Sequence, residues 1–286
     1  MLKLEFKQLS DELFLQLGKM ITERYGIKMP PDKKIMFQAR LQRRLRELDI
    51  HSFDDYVLKL LSDQGESSEF SLLADYISTN KTEFFRENDH FNFMTNQFLP
   101  DFMNKGQHQP HLKIWSAGCS SGQEAYSIGI TLEEFMRMKR VMFDYSIVAT
   151  DISVRMLKSA KDAIYPMSQV DNLTLDIKLL YFLKSKSMKD PKVRLVNAIR
   201  EKVRVAYLNL MDDSYPLNVL FDVVFLRNTL IYFSHEIQMK VLTKVLGSLN
   251  TGGYLFIGHS ESLINMRLPI QSIAPSVYVK TNDTNL

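Results

Sequence analysis

Small and acidic residues form a short turn in the first half of the chain, in an arrangement that suits a nucleotide-like ligand. The turn reads Ala-Gly-Cys-Ser-Ser-Gly-Gln-Glu over residues 117–124 and follows a short apolar run. Glycine and serine let a ligand approach the backbone closely, and amides at the start of a helix favour electron-rich ligand groups. The turn has neither the three spaced glycines of a dinucleotide fingerprint nor the Gly-Lys-Ser/Thr of a phosphate loop.

Glu124 narrows the choice of ligand, because its negative charge stands where a pyrophosphate would otherwise bind. The acid argues against a phosphate ligand and for a cationic or neutral one. S-adenosylmethionine carries a sulfonium and an ammonium group, so Glu124 suits that cofactor. A Gly/Ser turn with an acid is also a common plain connection between strand and helix, and the turn alone leaves that alternative open.

Three further sets of polar residues stand just past predicted strands, where open parallel sheets bind their ligands. Asp151 ends one strand and is placed to hydrogen-bond ribose hydroxyls, although it could instead cap the next helix. Asn209 and Leu210 follow another strand, and Arg227 and Asn228 follow the next. Asn209 could serve an adenine or a bridging water, but asparagine is also a frequent turn former.

A polar segment between the two halves of the chain could fold over the ligand as a lid. It reads NKTEFFR over residues 80–86, and Arg86 could pair with a ligand carboxylate. The alternative is that Phe84 and Phe85 only pin the linker and that Arg86 is a solvated charge.

No metal site and no hydrolytic nucleophile are expected. The six histidines show no Cys/His spacing for zinc. The His-Ser-Glu-Ser run over residues 259–262 lacks the Gly-x-Ser-x-Gly elbow of a hydrolase. Cys119 is interpreted as a small residue that fills space in the turn.

The first 77 residues, which precede the candidate ligand site, are predicted to be all-helical. Leu9, Leu13, Leu17 and Met20 recur on one helix face, and Ser10 can cap that helix. Further helices are predicted over residues 32–48, 52–61 and 69–76. The face of the second helix is predicted to comprise Ile35, Met36, Leu41, Leu45 and Leu48.

From residue 111 onward strands alternate with helices, which predicts crossover units and a mainly parallel sheet. The strands are predicted over residues 111–117, 145–150, 203–208, 219–226 and 254–258, with helices over 124–138, after Ser153 and over 235–249. Residues 276–280 are predicted to form a final edge strand. A Lys-rich stretch over about 166–201 interrupts this alternation and predicts an inserted helix with an antiparallel hairpin.

The composition is that of an ordinary globular protein. The chain has 286 residues, of which 45% are hydrophobic and 24% charged. A single cysteine excludes an internal disulfide framework and fits a reducing compartment, so a cytoplasmic location is expected. The formal charge of +3 does not demand a nucleic-acid or membrane partner, and no window is apolar enough for a membrane helix.

Five blocks, in this order and spacing, resemble the CheR family of chemotaxis receptor methyltransferases: NKTEFFRE, IWSAGCSSGQEAYSIG, VATDIS, LRNTLIYF and GGYLFIGHSESL. The resemblance covers nearly the whole chain. It implies a Rossmann-like α/β methyltransferase domain over residues 78–286 that depends on S-adenosylmethionine and has a mainly parallel sheet. It also implies a small antiparallel β-subdomain inserted at about 166–201, and an all-helical N-terminal receptor-recognition domain over 1–77.

The resemblance implies a protein-glutamate O-methyltransferase. Such an enzyme moves a methyl group from S-adenosylmethionine to glutamate carboxylates of chemotaxis receptors, and it yields glutamate methyl esters and S-adenosylhomocysteine. Carried over to this chain, the family's cofactor contacts fall on Asn80, Thr82, Arg86, Glu124, Asp151, Asn209, Leu210, Arg227 and Asn228. The implied catalytic residues are Arg86, which we assign to the cofactor's carboxylate, and Tyr232 near the transferred methyl group.

The resemblance also implies a partner, the cytoplasmic helical domain of methyl-accepting chemotaxis receptors. The residues that would recognise its acidic helix bundle are Arg40, Arg43, Arg44 and Arg46. No nucleic acid and no membrane insertion are expected, and the protein is expected to be a monomer. The stretch LKSKSMKDPKVRLV lacks the glycine of family members that bind a receptor's C-terminal tether, so a tether-independent enzyme is expected.

Three alternatives to this reading remain open. A methyltransferase acting on RNA or a small molecule is compatible with the clustered arginines. A non-catalytic module that binds S-adenosylmethionine would keep the same fold. A nicotinamide oxidoreductase is disfavoured by the two-glycine turn and by Glu124.

Overall fold

The computed structural model describes residues 8–62, 69–77, 80–104, 111–187 and 189–282. The N-terminal part consists of four helices, as predicted: α1 (Asp11–Tyr25), α2 (Lys34–Glu47), α3 (Phe53–Ser62) and α4 (Glu69–Ile77). A short 3-10 turn, Pro31–Lys33, precedes α2. The predicted domain boundary at 77/78 falls where the described residues stop, and residues 78–79 lie outside them.

Helix α1 begins and ends where local chemistry dictates. The Ser10 hydroxyl accepts a hydrogen bond from the Leu13 amide at 3.1 Å, which confirms the predicted cap. The helix stops at Gly26, whose φ of 72° is the left-handed conformation that glycine adopts at no cost. A Cβ atom at Gly26 would lie 2.7 Å from the Met211 sulfur, so glycine also lets the helix end approach the rest of the molecule.

The buried face of α2 differs in part from the prediction. Phe37, Leu41 and Leu45 are buried at spacings of four, whereas Ile35 is 84% exposed. The prediction for Ile35 was wrong, because Phe37 is the residue in phase with the two leucines and Ile35 lies on another side of the first turn.

A seven-stranded sheet forms the centre of the second part. Its strands are β1 (His111–Ala117), β2 (Asp144–Asp151), β6 (Val203–Tyr207), β7 (Phe221–Leu226), β8 (Leu249–Ile257), β9 (Ile270–Ala274) and β10 (Val277–Lys280). The order is β6-β2-β1-β7-β8-β10-β9, and only β10 runs antiparallel to the other strands. This mainly parallel sheet confirms the predicted fold class. Strand β10 was wrongly predicted at the edge, because β9, which was not predicted, pairs with its outer side.

Helices cover both faces of this sheet. They are α5 (Asp89–Phe93), α6 (Leu99–Asn104), α7 (Gln123–Lys139), α8 (Val154–Asp162) and α11 (His235–Gly247), with a π-helical turn, Met94–Phe98, between α5 and α6. A 3-10 turn, Leu230–Tyr232, follows β7. Helices α5 and α6 were not predicted. None of the helices in the described ranges combines the length and apolarity needed to cross a bilayer.

The inserted subdomain is a three-stranded antiparallel sheet with the order β3-β5-β4. Its strands are β3 (Ile164–Pro166), β4 (Phe182–Lys184) and β5 (Lys192–Leu195), and its helices are α9 (Leu175–Tyr181) and α10 (Asn197–Arg200), with a 3-10 turn over Met167–Val170. The predicted hairpin is therefore present as β4 and β5, and a third strand, which starts two residues before the predicted insertion, completes the sheet.

The N-terminal helices and the α/β part share one hydrophobic cluster. Leu17 of α1, Tyr56 of α3, Trp115 of β1 and Leu242 of α11 all belong to it and are essentially inaccessible to solvent. Because burial of apolar area is the main stabilising term in folding, this shared cluster fixes the helices against one face of the sheet.

Arg44 of α2 lies within the helical part. Its guanidinium donates to both carboxylate oxygens of Glu69, at 2.8 and 2.7 Å, and the Tyr56 hydroxyl donates to the same carboxylate at 3.0 Å. The Glu69 side chain is only 4% exposed. Arg44 is thus engaged inside the helical part, whereas the Arg43 side chain is 75% exposed.

The variant Arg44→Met should therefore lower the free energy of unfolding by about 3 kcal/mol, because it leaves a buried carboxylate without its cation. Arg43→Met is the matched control and should cost less than about 1 kcal/mol. Urea unfolding followed by circular dichroism measures both values. Equal losses in the two variants would contradict the assignment of Arg44 to a structural ion pair.

Candidate active site

A cavity of about 270 Å³ lies at the carboxyl ends of the central strands. Strand order reverses between β1 and β7, the place where open α/β sheets bind their ligands. Residues that follow β1, β2, β6 and β7 line the cavity together with the segment after α4. Every predicted cofactor contact lies in this lining, and so does Tyr232: Asn80, Thr82, Arg86, Glu124, Asp151, Asn209, Leu210, Arg227 and Asn228.

The N-terminal helices supply one wall of the cavity. Tyr25, Ile27 and Ile77 line it. The backbone amide of Lys28 donates to the Tyr232 carbonyl at 2.9 Å, which ties the segment after α1 to the turn after β7. That the first part of the chain supplies this wall was not predicted.

The turn after β1 approaches the cavity through a glycine. Gly118 has a φ of 81°, and a Cβ atom there would lie 2.5 Å from the Thr229 hydroxyl oxygen. Its amide and that of Cys119 both donate to the Thr150 carbonyl at the end of β2, at 2.8 and 2.9 Å. Glycine is therefore required by both backbone conformation and space.

Asp151 ends β2 as predicted and is held by backbone amides. Its carboxylate accepts from the Ser120 amide at 2.8 Å and from the Ser153 amide at 2.9 Å. The side chain is buried, and burial raises the pKa of the Asp151 carboxyl while the donated hydrogen bonds oppose that rise. Ser153, not Asp151, caps α8, since the Ser153 hydroxyl accepts from the Met156 amide.

Glu124 lies in the first turn of α7, with its side chain 13% exposed, beside a cation. The Ser116 hydroxyl donates to one of its oxygens at 2.7 Å, and the Arg227 guanidinium donates to the other at 3.1 Å. Burial raises the pKa of Glu124, and the Arg227 charge opposes this rise. Glu124, which argues against a phosphate ligand, is thus hydrogen-bonded to Arg227, a second predicted site residue.

Arg227 lies between two carboxylates. Besides Glu124, its guanidinium donates to Glu87 at 3.0 Å and to the Arg86 carbonyl oxygen, and its side chain is only 2% exposed. Asn228, in the left-handed conformation with a φ of 55°, donates from its side chain to the other Glu87 oxygen at 3.0 Å. Two predicted site residues are therefore positioned by Glu87, which sequence reasoning missed.

Glu87 holds Arg227 and Asn228, the two residues after β7, through its carboxylate. Burial acts to raise its pKa, but the hydrogen bond from Asn228 and the Arg227 charge outweigh burial, so the pKa of Glu87 lies below its usual value. The signal for it was its place at the end of the NKTEFFRE block.

Arg86 is a cation in the lining of the cavity. It donates to the Lys81 carbonyl at 2.8 Å. Among the residues that the structure describes, no carboxylate forms an ion pair with it. An arginine in this setting can hold a ligand carboxylate.

Asn209 has its side chain committed within the protein. Its amide nitrogen donates to the Arg24 carbonyl at 2.8 Å, and its oxygen accepts from the Met211 amide at 3.0 Å. The residue therefore joins the loop after β6 to the end of α1, while it also lines the cavity.

Glu261 was also missed as a residue that shapes the site. Its buried carboxylate accepts from the backbone amides of Gly258 at 2.6 Å, Asn228 at 2.9 Å and Ile231 at 3.3 Å. These bonds fix the turn that carries Tyr232. Glu261 of the His-Ser-Glu run therefore holds backbone amides in place.

The predicted receptor-binding arginines lie on α2 and outside the cavity lining. Arg43 and Arg46 are exposed, Arg40 is half-buried and donates to the Tyr76 carbonyl at 3.0 Å, and Arg44 is engaged with Glu69. The structure thus separates these four residues from the residues around the cavity.

Comparison with known proteins identifies relatives of both parts. Residues 12–78 match the family model described as the CheR methyltransferase, all-alpha domain, and residues 80–279 match the CheR methyltransferase, SAM binding domain. A chemotaxis protein methyltransferase from Borreliella burgdorferi is 36% identical over 272 residues, which cover 94% of each chain.

Two further relatives have the same extent. Chemotaxis protein methyltransferase 2 of Pseudomonas aeruginosa is 32% identical and covers 93% of this chain and 92% of its own length. The chemotaxis protein methyltransferase of Escherichia coli is 32% identical, over 96% of this chain and 93% of its own.

Proposed function

This chain belongs to the CheR methyltransferase family, and from that premise we propose that it transfers a methyl group from S-adenosylmethionine to glutamate side chains of chemotaxis receptors. The observation that carries the proposal is the cavity at the strand ends. Its lining includes Arg86, which has no carboxylate partner in the described part of the chain, together with the acids Glu124 and Asp151.

The residues present fit S-adenosylmethionine. The cofactor has a carboxylate, an ammonium group, a sulfonium and a ribose. Arg86 is suited to the carboxylate, Glu124 to the ammonium end and Asp151 to the ribose hydroxyls. The remaining predicted contacts line the same cavity: Asn80, Thr82, Asn209, Leu210, Arg227 and Asn228.

The acceptor requires no general base. When bound, S-adenosylmethionine supplies a methyl group on a positively charged sulfur, and the product is a glutamate methyl ester with S-adenosylhomocysteine. A glutamate side chain has a pKa near 4.3 and is already an anion at neutral pH. This explains why the cavity needs no histidine or lysine placed to remove a proton.

The protein's contribution is then alignment and exclusion of water. Tyr232 lines the cavity, and the Lys28 amide holds its backbone carbonyl; we assign its side chain to orienting the glutamate. A dry site strengthens the attraction between an anionic acceptor and a cationic donor. Correct alignment can supply up to about 7–11 kcal/mol in the best cases.

Receptor recognition is assigned to α2. Of its four arginines, the exposed Arg43 and Arg46 are the proposed contacts, whereas Arg40 donates to the Tyr76 carbonyl and Arg44 is paired with Glu69. Exposed arginines on one helix suit an acidic helical partner, because charge complementarity steers association. On this proposal the enzyme acts in the cytoplasm, where the receptor helices lie.

The test of the proposed function is the chemistry of the product. Incubation with methyl-labelled S-adenosylmethionine and receptor-rich membranes should yield label that alkali releases as methanol, because a glutamyl ester is hydrolysed by base. Heat-denatured enzyme serves as the control. Label that is stable to alkali, or label transferred to RNA or a small molecule instead, would overturn the assignment of the acceptor.

The role of Arg86 predicts a loss of cofactor affinity. Arg86→Met should weaken binding of S-adenosylhomocysteine by about tenfold to a hundredfold, as expected when a charged hydrogen bond worth about 1.5–3 kcal/mol is removed. Calorimetric titration measures the change. Arg137→Met, which removes an exposed arginine paired with Glu134 on α7, should leave the affinity as it is, and an unchanged Arg86→Met affinity would refute the assignment.

Tether independence predicts that an isolated receptor-tail pentapeptide does not bind. In the inserted subdomain β4 pairs directly with β5, the Ser185 amide donates to the Lys192 carbonyl at 2.8 Å, and this stretch has no glycine. Calorimetry with the free peptide should show no heat of binding. A dissociation constant in the micromolar range would show that the subdomain binds a tether after all.

A further inference from the structure

A buried histidine beside the cavity has no hydrogen-bond partner in the described part of the chain. His90, in α5, is 1% exposed, and neither of its ring nitrogens is bonded. Its ring contacts Phe256, with ring centroids 5.5 Å apart. Buried polar atoms are nearly always satisfied, so an imidazole with two orphaned nitrogens calls for a ligand or a water.

The His90 side chain can act as a metal ligand. A neutral imidazole offers a lone pair on one ring nitrogen, and neither ring nitrogen of His90 has a hydrogen-bond partner among the described residues.

Two other metal-ligating side chains converge on His90. Its Nδ1 atom lies 3.7 Å from the Glu87 Oε2 atom, and its ring centroid lies 4.9 Å from that of His259. One ligand atom from each of the three residues lies within 4.8 Å of the other two. His259 follows β8 and is exposed, so the group has an open side toward solvent.

We propose that Glu87, His90 and His259 form a binding site for a zinc ion. Two imidazoles and one carboxylate form a ligand set that zinc uses, with a solvent molecule in the fourth position. Among divalent ions, zinc binds nitrogen ligands more tightly than manganese or iron. Zinc–ligand distances of about 2.0–2.2 Å require the three atoms to move closer together, and the exposed His259 side chain has the freedom to do so.

The polar groups around Glu87 are compatible with this role. Arg227 and Asn228 each donate to one Glu87 oxygen at 3.0 Å. A carboxylate oxygen has a second lone pair, and metal-ligating carboxylates are commonly held by hydrogen bonds of this kind. Arg227 shares its single positive charge between Glu87 at 3.0 Å and Glu124 at 3.1 Å, so the three side chains together carry one net negative charge when both carboxylates are ionised.

This inference goes beyond the proposed function and does not depend on it. Arg227 and Asn228 line the cavity, and an ion on Glu87 would change the carboxylate that positions both. Zinc binding is therefore expected to be coupled to binding in the cavity, and each ligand should change the affinity for the other by the same factor.

The test is a titration of the full chain, stripped of metal by a chelator, with zinc chloride in competition with a chromophoric indicator. One equivalent should bind. Cobalt(II) in place of zinc should give the visible absorption of a four-coordinate ion, a signature that nonspecific surface binding does not produce.

Because His259 is exposed, its substitution is expected to leave the fold intact. His259→Gln should lower the zinc affinity by more than about a hundredfold. Substitution of a residue that only hydrogen-bonds to a metal ligand typically lowers the affinity by about tenfold to a hundredfold. His51→Gln is the matched control, because its side chain is 62% exposed and lies in the helical part, and it should bind as the wild type does. Absence of binding to the wild type, or equal binding by His259→Gln, overturns the proposal.

Discussion

A single buried guanidinium joins the parts of this molecule that form its cavity. Arg227, at the end of β7, donates to Glu124 at the start of α7 and to Glu87 in the segment that leaves the helical part. Removal of one member of such a group leaves an uncompensated buried charge, which costs about 3–5 kcal/mol. The positions of three chain segments therefore depend on one another, and so does the shape of the space between them.

Three acids in and behind the cavity lining have distinct environments. Asp151 is held by backbone amides, Glu124 by a hydroxyl and a guanidinium, and Glu261 by the amides of the turn that carries Tyr232. Burial raises the pKa of all three. Asp151 and Glu124 line the cavity, whereas Glu261 acts on the backbone behind it, so similar side chains serve the ligand and the scaffold.

The sequence predicted the elements better than their contacts. Helical and strand periodicity located α1 to α4 and most of the central sheet, since each reflects burial of one local face. Periodicity failed for Ile35, because contacts with distant residues decide which face of a helix is buried. It also failed for the edge position of β10, because the order of strands in a sheet depends on pairing with distant parts of the chain. Likewise the ordered motifs located the cavity residues, but no local pattern could indicate that Glu87 binds Arg227 or that His90 meets His259, since each pair is far apart in sequence.

The hydrophobic cluster shared by the N-terminal helices and the sheet has a consequence for how the protein melts. Leu17 and Tyr56 bury their surfaces in the same cluster as Trp115 and Leu242, so loss of either part exposes apolar area of the other to water. Unfolding of either part is therefore expected to destabilise the other, because it removes apolar contacts on which both depend. A recombinant fragment confined to the α/β part would lack one wall of its ligand cavity. It would also expose an apolar surface that promotes aggregation.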